Sequence, residues 1–149
     1  MSSVTKSIEV AVPVRAVYNQ WTQFEEFPRF MEGVESVVQQ GDTRTHWKIK
    51  IGGIEREFDA EIVEQTPDER VAWASVQGPR HAGVITFAAI DAEHTRVTAL
   101  ISTEPEGLVE HVGDALGLIS KRVESDLERF RTFIEERGAE TGGWRGQIN

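Results

Sequence analysis

The sequence predicts an α+β fold: a curved, seven-stranded antiparallel sheet wrapped around one long C-terminal helix, with two short helices between the first and second strands. Three observations predict it. The apolar period lengthens from two residues to helical spacing just past Pro13. Six strand-like runs then follow one another between short turn signals. The last long segment carries one apolar stripe at helical steps, from Val109 to Ile134.

Val4 to Val12 reads as the first strand, with Val4, Lys6, Ile8, Val10 and Val12 on one face. Pro13 ends it and suits the first turn of a helix. Val14, Val17, Tyr18 and Trp21 then fall at helical spacing. Phe24, Phe27, Phe30 and Met31 mark a second short helix, divided or restarted at Pro28, and Gly33 breaks the pattern. The strand runs are Val34–Gln40, His46–Ile51, Ile54–Gln65, Arg70–Gln77, Ala82–Ile90 and Thr95–Thr103. Gly41-Asp42, Gly52-Gly53, Thr66 to Glu69, Gly78-Pro79, Asp91 to His94 and Pro105 to Gly107 punctuate them, and connections this short suit antiparallel neighbours.

The long helix is expected from about Leu108 to Arg137, with Gly138 as its stop. Its stripe advances by 3, 4, 3, 4, 4, 3 and 4 residues through Val109, Val112, Leu116, Ile119, Val123, Leu127, Phe130 and Ile134. About 30 residues at 1.5 Å each span roughly 45 Å, enough to cross a whole curved sheet. Residues 1–138 are therefore read as a single domain. Residues 139–149 are read as a Gly-rich tail, expected to be poorly ordered apart from Trp144.

Composition narrows the function. Of 149 residues, Lys plus Arg make 16 and Asp plus Glu 25, a formal charge of −9. A nucleic-acid binder or an anionic-membrane binder needs a basic face, so neither is expected. No apolar run is long enough for a membrane span, and Met1 to Glu9 does not read as a signal peptide. The absence of cysteine excludes disulfides, thiol chemistry and cysteine-bound metals. The four histidines, His46, His81, His94 and His111, have no metal-ligand spacing. No cofactor or metal is expected, and the expected location is cytoplasmic. There is no Gly-x-Ser-x-Gly, phosphate-binding loop or dinucleotide fingerprint.

The run Trp21-Thr-Gln-Phe24-Glu25-Glu-Phe27-Pro28-Arg-Phe30-Met31-Glu-Gly33-Val34-Glu35-Ser-Val37 resembles the polyketide cyclase/dehydrase group of the SRPBCC, START-like superfamily. Phe58 to Ile62, Pro67 to Trp73, Gly83 to Phe87, Thr95 to Val97 and the tail Thr141 to Gly146 continue the likeness, the tail being similar to bacterial members. The group also resembles coenzyme Q-binding proteins. The resemblance implies a helix-grip fold with a cavity between sheet and C-terminal helix. It implies a hydrophobic ligand, polyketide, polycyclic or isoprenoid-like. Two functions follow from it and stay open: a polyketide cyclase/dehydrase, or a non-enzymatic lipid or quinone carrier or chaperone. A packed module without a true cavity is the third reading. The oligomeric state is open, a homodimer included.

Alternation assigns the cavity face. Trp47 and Ile49 share a face in the third strand, and Ile54, Arg56, Phe58, Ala60 and Ile62 share one in the fourth. Trp73 and Ser75 share a face in the fifth, and the resemblance points Trp73 inward. Ile85, Phe87 and Ala89 are expected inward in the sixth, and Val97, Ala99, Ile101 and Thr103 in the seventh. Val112, Leu116 and Ile119 would roof the space from the helix. The candidate ligand-binding set is Trp47, Ile49, Phe58, Trp73, Ile85, Phe87, Ala99, Val112 and Leu116.

Arg56, Ser75 and His81 are the candidate catalytic residues. Arg56 is read either as a cation that anchors an enolate or carboxylate, or as a side chain near the sheet end that reaches solvent. Ser75 is read as a proton relay or as a hydroxyl bonded to backbone. His81, in the loop after Gly78-Pro79, is read as an acid or base at the cavity mouth or as a solvated loop residue. Phe24, Phe27, Phe30 and Met31 are read either as a mobile lip at the entrance or as packing.

Overall fold

The computed structural model describes residues 2–51, 53–77, 80–103 and 115–148. Seven strands form one antiparallel sheet: β1 (Ser2–Val10), β2 (Val34–Gln39), β3 (Arg44–Ile51), β4 (Ile54–Thr66), β5 (Arg70–Gln77), β6 (His81–Asp91) and β7 (His94–Thr103). Their order across the sheet is β1-β7-β6-β5-β4-β3-β2. Every neighbouring pair except β1–β7 is a hairpin, so six successive strands pair locally. β1 instead waits for the last strand, with Val4 opposite Ile101 and Ile8 opposite Val97.

Register shifts at Val34/Ser36, Asp59/Ala60, Ile62/Glu64 and Ala89/Asp91 bend the sheet. One face becomes concave, and α2 (Ala115–Arg137) packs against it. Ile119, Leu127, Phe130 and Ile134 of the stripe are buried there, with Val123 and Phe133 beside them. The expected N-terminal turns of this helix, Leu108 to Asp114, lie outside the described residues.

α1 (Val14–Trp21) and a 3₁₀ turn (Phe24–Arg29) carry the chain from β1 to β2, from one sheet edge to the other. Pro28 sits inside the 3₁₀ turn, whose pattern of hydrogen bonds an imide nitrogen disrupts little in so short a piece. Phe24, Phe27 and Phe30 do not form a lip. They are wholly buried, in ring contact with Trp21, Trp47, Trp73 and Phe130. Only Met31 of that group reaches the cavity described below.

The predicted strands agree with the observed ones to within two residues at each end. Ala89 is the exception in facing: it is exposed. β6 has passed the end of the core there and shifts register before its turn.

The tail is not loose. Residues 139–148 strap α1 to the β4–β5 hairpin. Asn19 Nδ2 donates to Glu140 Oε2 at 2.8 Å, and Gln20 exchanges two hydrogen bonds with Thr141, at 2.9 and 3.0 Å. Arg145 meets Asn19 Oδ1 at 2.8 Å and Asp68 at 2.9 Å, and lies over the Tyr18 ring. Ile148 closes a two-bond bridge with Gln65. A Cβ at position 143 would come within 2.7 Å of Asn19 Cγ, and one at 142 within 2.9 Å of Gln23 Oε1. These glycines allow close approach.

Candidate functional site

A cavity of about 90 Å³ lies between the concave sheet and α2. Alternation supplies its sheet wall. Trp47 and Ile49 of β3, Trp73 of β5, Ile85 of β6 and Ala99 and Ile101 of β7 all point into it. Ile119, Val123 and Leu127 of α2 close the opposite side. Trp21 of α1 and Met31 and Val34 around β2 close one end.

The indoles form a continuous layer. Trp47 stacks on Phe58 at 5.6 Å and 14°, and on Trp73 at 5.5 Å and 25°. Trp73 lies flat because its register partner on β6 is Gly83. A Cβ there would stand 2.6 Å from Trp73 Cε2. Trp47 Nε1–H donates to Thr45 Oγ1 at 2.7 Å, which in turn donates to the Ala60 carbonyl at 3.2 Å. Trp21 Nε1–H, by contrast, is buried with no acceptor among the described residues.

Of the two expectations for His81, a group at the cavity or a solvated loop residue, its position matches the first. It is the first residue of β6 and its ring sits on the aromatic layer, 5.2 Å from Phe58 and 6.3 Å from Trp73 between centroids. Its Nδ1 accepts the Trp73 Nε1–H at 3.4 Å, which leaves the ring proton on Nε2. Burial lowers its pKa to about 4, so the imidazole is neutral at pH 7. The backbone N–H of His81 donates to Ser75 Oγ at 2.9 Å, so the Ser75 hydroxyl is bonded to backbone.

Arg56 shares the inward register of β4, opposite Ile49. Its Nη1 donates to the Glu55 carbonyl at 2.9 Å, and it is not among the residues that line the cavity. Of the three candidate catalytic residues, Ser75 and His81 are thus brought into direct contact. Of the expected ligand-binding set, Trp47, Ile49, Trp73, Ile85 and Ala99 line the cavity. Phe58 stands behind Trp47, and Phe87 packs instead on Tyr18, at 5.5 Å and 79°. Val112 and the side chain of Leu116 lie outside the described residues.

Sequence reasoning missed the polar end of the cavity, Arg122 and Asp126 of α2. They are one turn apart, each one position before a stripe residue, Val123 and Leu127. Charges bordering a helical stripe were the available signal. Asp126 Oδ1 accepts the Glu32 N–H at 3.1 Å, yet burial outweighs this and the nearby arginines and raises its pKa to about 7. Among the described residues, no group of three or more His, Asp or Glu side chains suits a metal ion, and no helix is long and apolar enough to cross a membrane.

Residues 10–131 match the model of a family described as polyketide cyclase / dehydrase and lipid transport. An uncharacterized 17.2 kDa protein encoded in the melC2-rnhH intergenic region of Streptomyces lincolnensis is 56% identical over 149 residues, 99% of each chain. A START superfamily protein from Mycobacterium smegmatis superposes with a TM-score of 0.77 at 13% identity, covering 91% of this chain and 98% of that one. The Zhui aromatase/cyclase from a Streptomyces species superposes with a TM-score of 0.73 at 15% identity, covering 96% and 99%. At such identities the two structures share the fold.

Proposed function

The chain belongs to the polyketide cyclase/dehydrase and lipid transport family, and from that premise we propose that it binds an apolar small molecule between the sheet and α2. The observation that carries the reading is the cavity itself, enclosed by Trp21, Trp47 and Trp73 with aliphatic residues of α2 opposite. Apolar walls with a few convergent polar groups are what small-molecule sites have in common.

Size bounds the ligand. About 90 Å³ is well below the ~300–1,000 Å³ of sites for drug-sized molecules. It is also below the ~150 Å³ cavity that takes up benzene. One ring, or a short alkyl or isoprenoid segment, enters when Met31, the most pliable wall residue, shifts. A polycyclic ligand requires the walls to part much further.

Binding is favoured over cyclisation by the state of the candidate catalytic groups. Ser75 accepts a backbone N–H, and the acceptor nitrogen of His81 is taken by Trp73. A neutral imidazole with its proton on Nε2 suits donation to a ligand carbonyl better than proton abstraction. Arg56 stands apart from the cavity wall. The reading is therefore a carrier or binding protein.

The test is organic-solvent extraction of the purified protein followed by mass spectrometry, with Ala99→Phe as the comparison. Ala99 lies in the wall beside Ile85, so a phenyl ring there fills the cavity. The expected result is a stoichiometric apolar compound from the wild type and none from a folded Ala99→Phe protein. Extracts alike in both, or tryptophan quenching by apolar probes alike in both, would overturn the reading.

A further inference from the structure

Arg122 and Asp126 face the cavity from α2, and Glu32 reaches them from the segment before β2. Arg122 Nη1 meets Glu32 Oε2 at 2.9 Å, and Arg129 Nη2 meets the same oxygen at 3.1 Å. Two guanidinium groups thus converge on one carboxylate. The Nε–H of Arg122 is buried and has no acceptor among the described residues. A buried donor left unpaired is costly, so this atom is poised for a partner that the described residues do not supply. The other polar atoms of the wall, Trp21 Nε1 and the His81 ring, are neutral.

We propose that this end of the cavity takes the carboxylate of an apolar monocarboxylic acid, with Arg122 as its donor and the acid's ring or alkyl part against Trp21, Trp47 and Trp73. The inference rests on the apolar-ligand reading and adds a charge to that ligand. A carboxylate supplies the acceptor that Nε lacks and balances the second guanidinium. A neutral carbonyl supplies an acceptor but leaves the second guanidinium unbalanced.

Asp126 sets the pH at which this works. Burial pushes its carboxyl up to about 7. Among the described residues, the charged groups that face it are Arg122 and Arg129 on its own helix and Glu32 from the segment before β2. His81, on the sheet wall, is neutral across this range. Protonated Asp126 leaves the excess positive charge to the ligand, and ionised Asp126 cancels it. An ordinary carboxylic acid is itself ionised well below this range, near pH 4. Its binding therefore weakens as pH rises through 7, by about tenfold between pH 6 and pH 8.

The experiment titrates tryptophan fluorescence of the full chain with benzoate and with methyl benzoate at pH 6 and pH 8. At pH 6 the wild type is expected to prefer benzoate by about tenfold or more, the scale of one charge-assisted contact. That preference should shrink about tenfold by pH 8. Arg122→Gln should remove the preference, and Asp126→Asn should hold it at pH 8. Circular-dichroism melts check that both variants fold, and the wild-type pH comparison decides the matter if either does not. An ester bound as tightly as the acid by the wild type at pH 6 overturns the inference and leaves the apolar-ligand reading standing. Binding of neither probe overturns both.

Discussion

Gly83 and Trp73 face each other across the β5–β6 pairing, and the indole occupies the space a side chain at 83 would need. Glycine within a strand usually costs about 0.5–1 kcal/mol against alanine. Here the overlap outweighs that gain, because a methyl group must push aside a ring held on both faces. Gly83→Ala is expected to destabilise by about 1–3 kcal/mol in urea titrations and to shift the Trp73 emission. An equal or raised midpoint would show that the ring has room to move. His81 gives a pH signature. Its folded pKa of about 4 lies below the unfolded value near 6.5, so the native state binds fewer protons between those values. The stability contributed by the neutral ring is whole above about pH 6.5 and is lost as pH falls towards 4, about 2–3 kcal/mol in all. Asp126 acts in the opposite sense: its raised pKa makes the native state the better proton binder between about pH 4 and 7. Wild-type stability alone therefore mixes the two. The difference between the wild type and His81→Gln isolates the histidine, and it should shift in favour of the variant as pH falls from 6.5 to 4. A pH-independent difference would mean that the ring protonates freely in the native state. Sequence reasoning left His81 between the cavity mouth and solvent because it follows Gly78-Pro79. Its actual surroundings come from Trp47 and Phe58, more than 20 residues away in the chain, and no local pattern announces them.

The C-terminal strap is the element least legible in the sequence. Gly142, Gly143 and Gly146 are the composition of a flexible tail, yet two of them are what lets the backbone press against Gln23 and Asn19. The same residue type thus carries two opposite physical meanings, and only the partner surface separates them. The amides of Asn19 and Gln20, both buried, find partners in this strap, as does Arg145 at Asp68. Deleting residues 140–149 is expected to cost about 2–4 kcal/mol, since several hydrogen bonds at about 1 kcal/mol each are lost together. Amide exchange in α1 should rise with it. An unchanged urea midpoint would mean that the strap merely rests on the helix. The strands were legible for the opposite reason. Ile62 and Phe58 point in while Glu57 and Glu61 point out, a contrast that a period of two states outright. The polar pair on α2 was not. Arg122 and Asp126 look like an ordinary solvated edge of the stripe, and only the curve of the sheet brings that edge over a cavity.

For the whole molecule, helix and sheet were predicted in their correct order, and the resemblance carried the helix-grip fold that the solved relatives share. The cavity's dimension was beyond the sequence. Whether bulky rings fill a space or line one depends on tenths of an ångström in sheet curvature, and neither periodicity nor composition reports that. The placement of β1 has a further consequence. β1 precedes the other six strands of the sheet in the chain, and its neighbour among the described residues, β7, begins at His94. At about 5–20 residues per second, roughly 5–20 s of synthesis separate the two. Hairpin pairing takes only microseconds, so β2 to β6 can assemble within that interval while β1 remains a free edge. The strap is made after every strand of the sheet and after α2. The buried amides of α1 therefore wait for their partners until residues 140 and 141 are made, and over that interval β1 and α1 are the elements most exposed to misassociation.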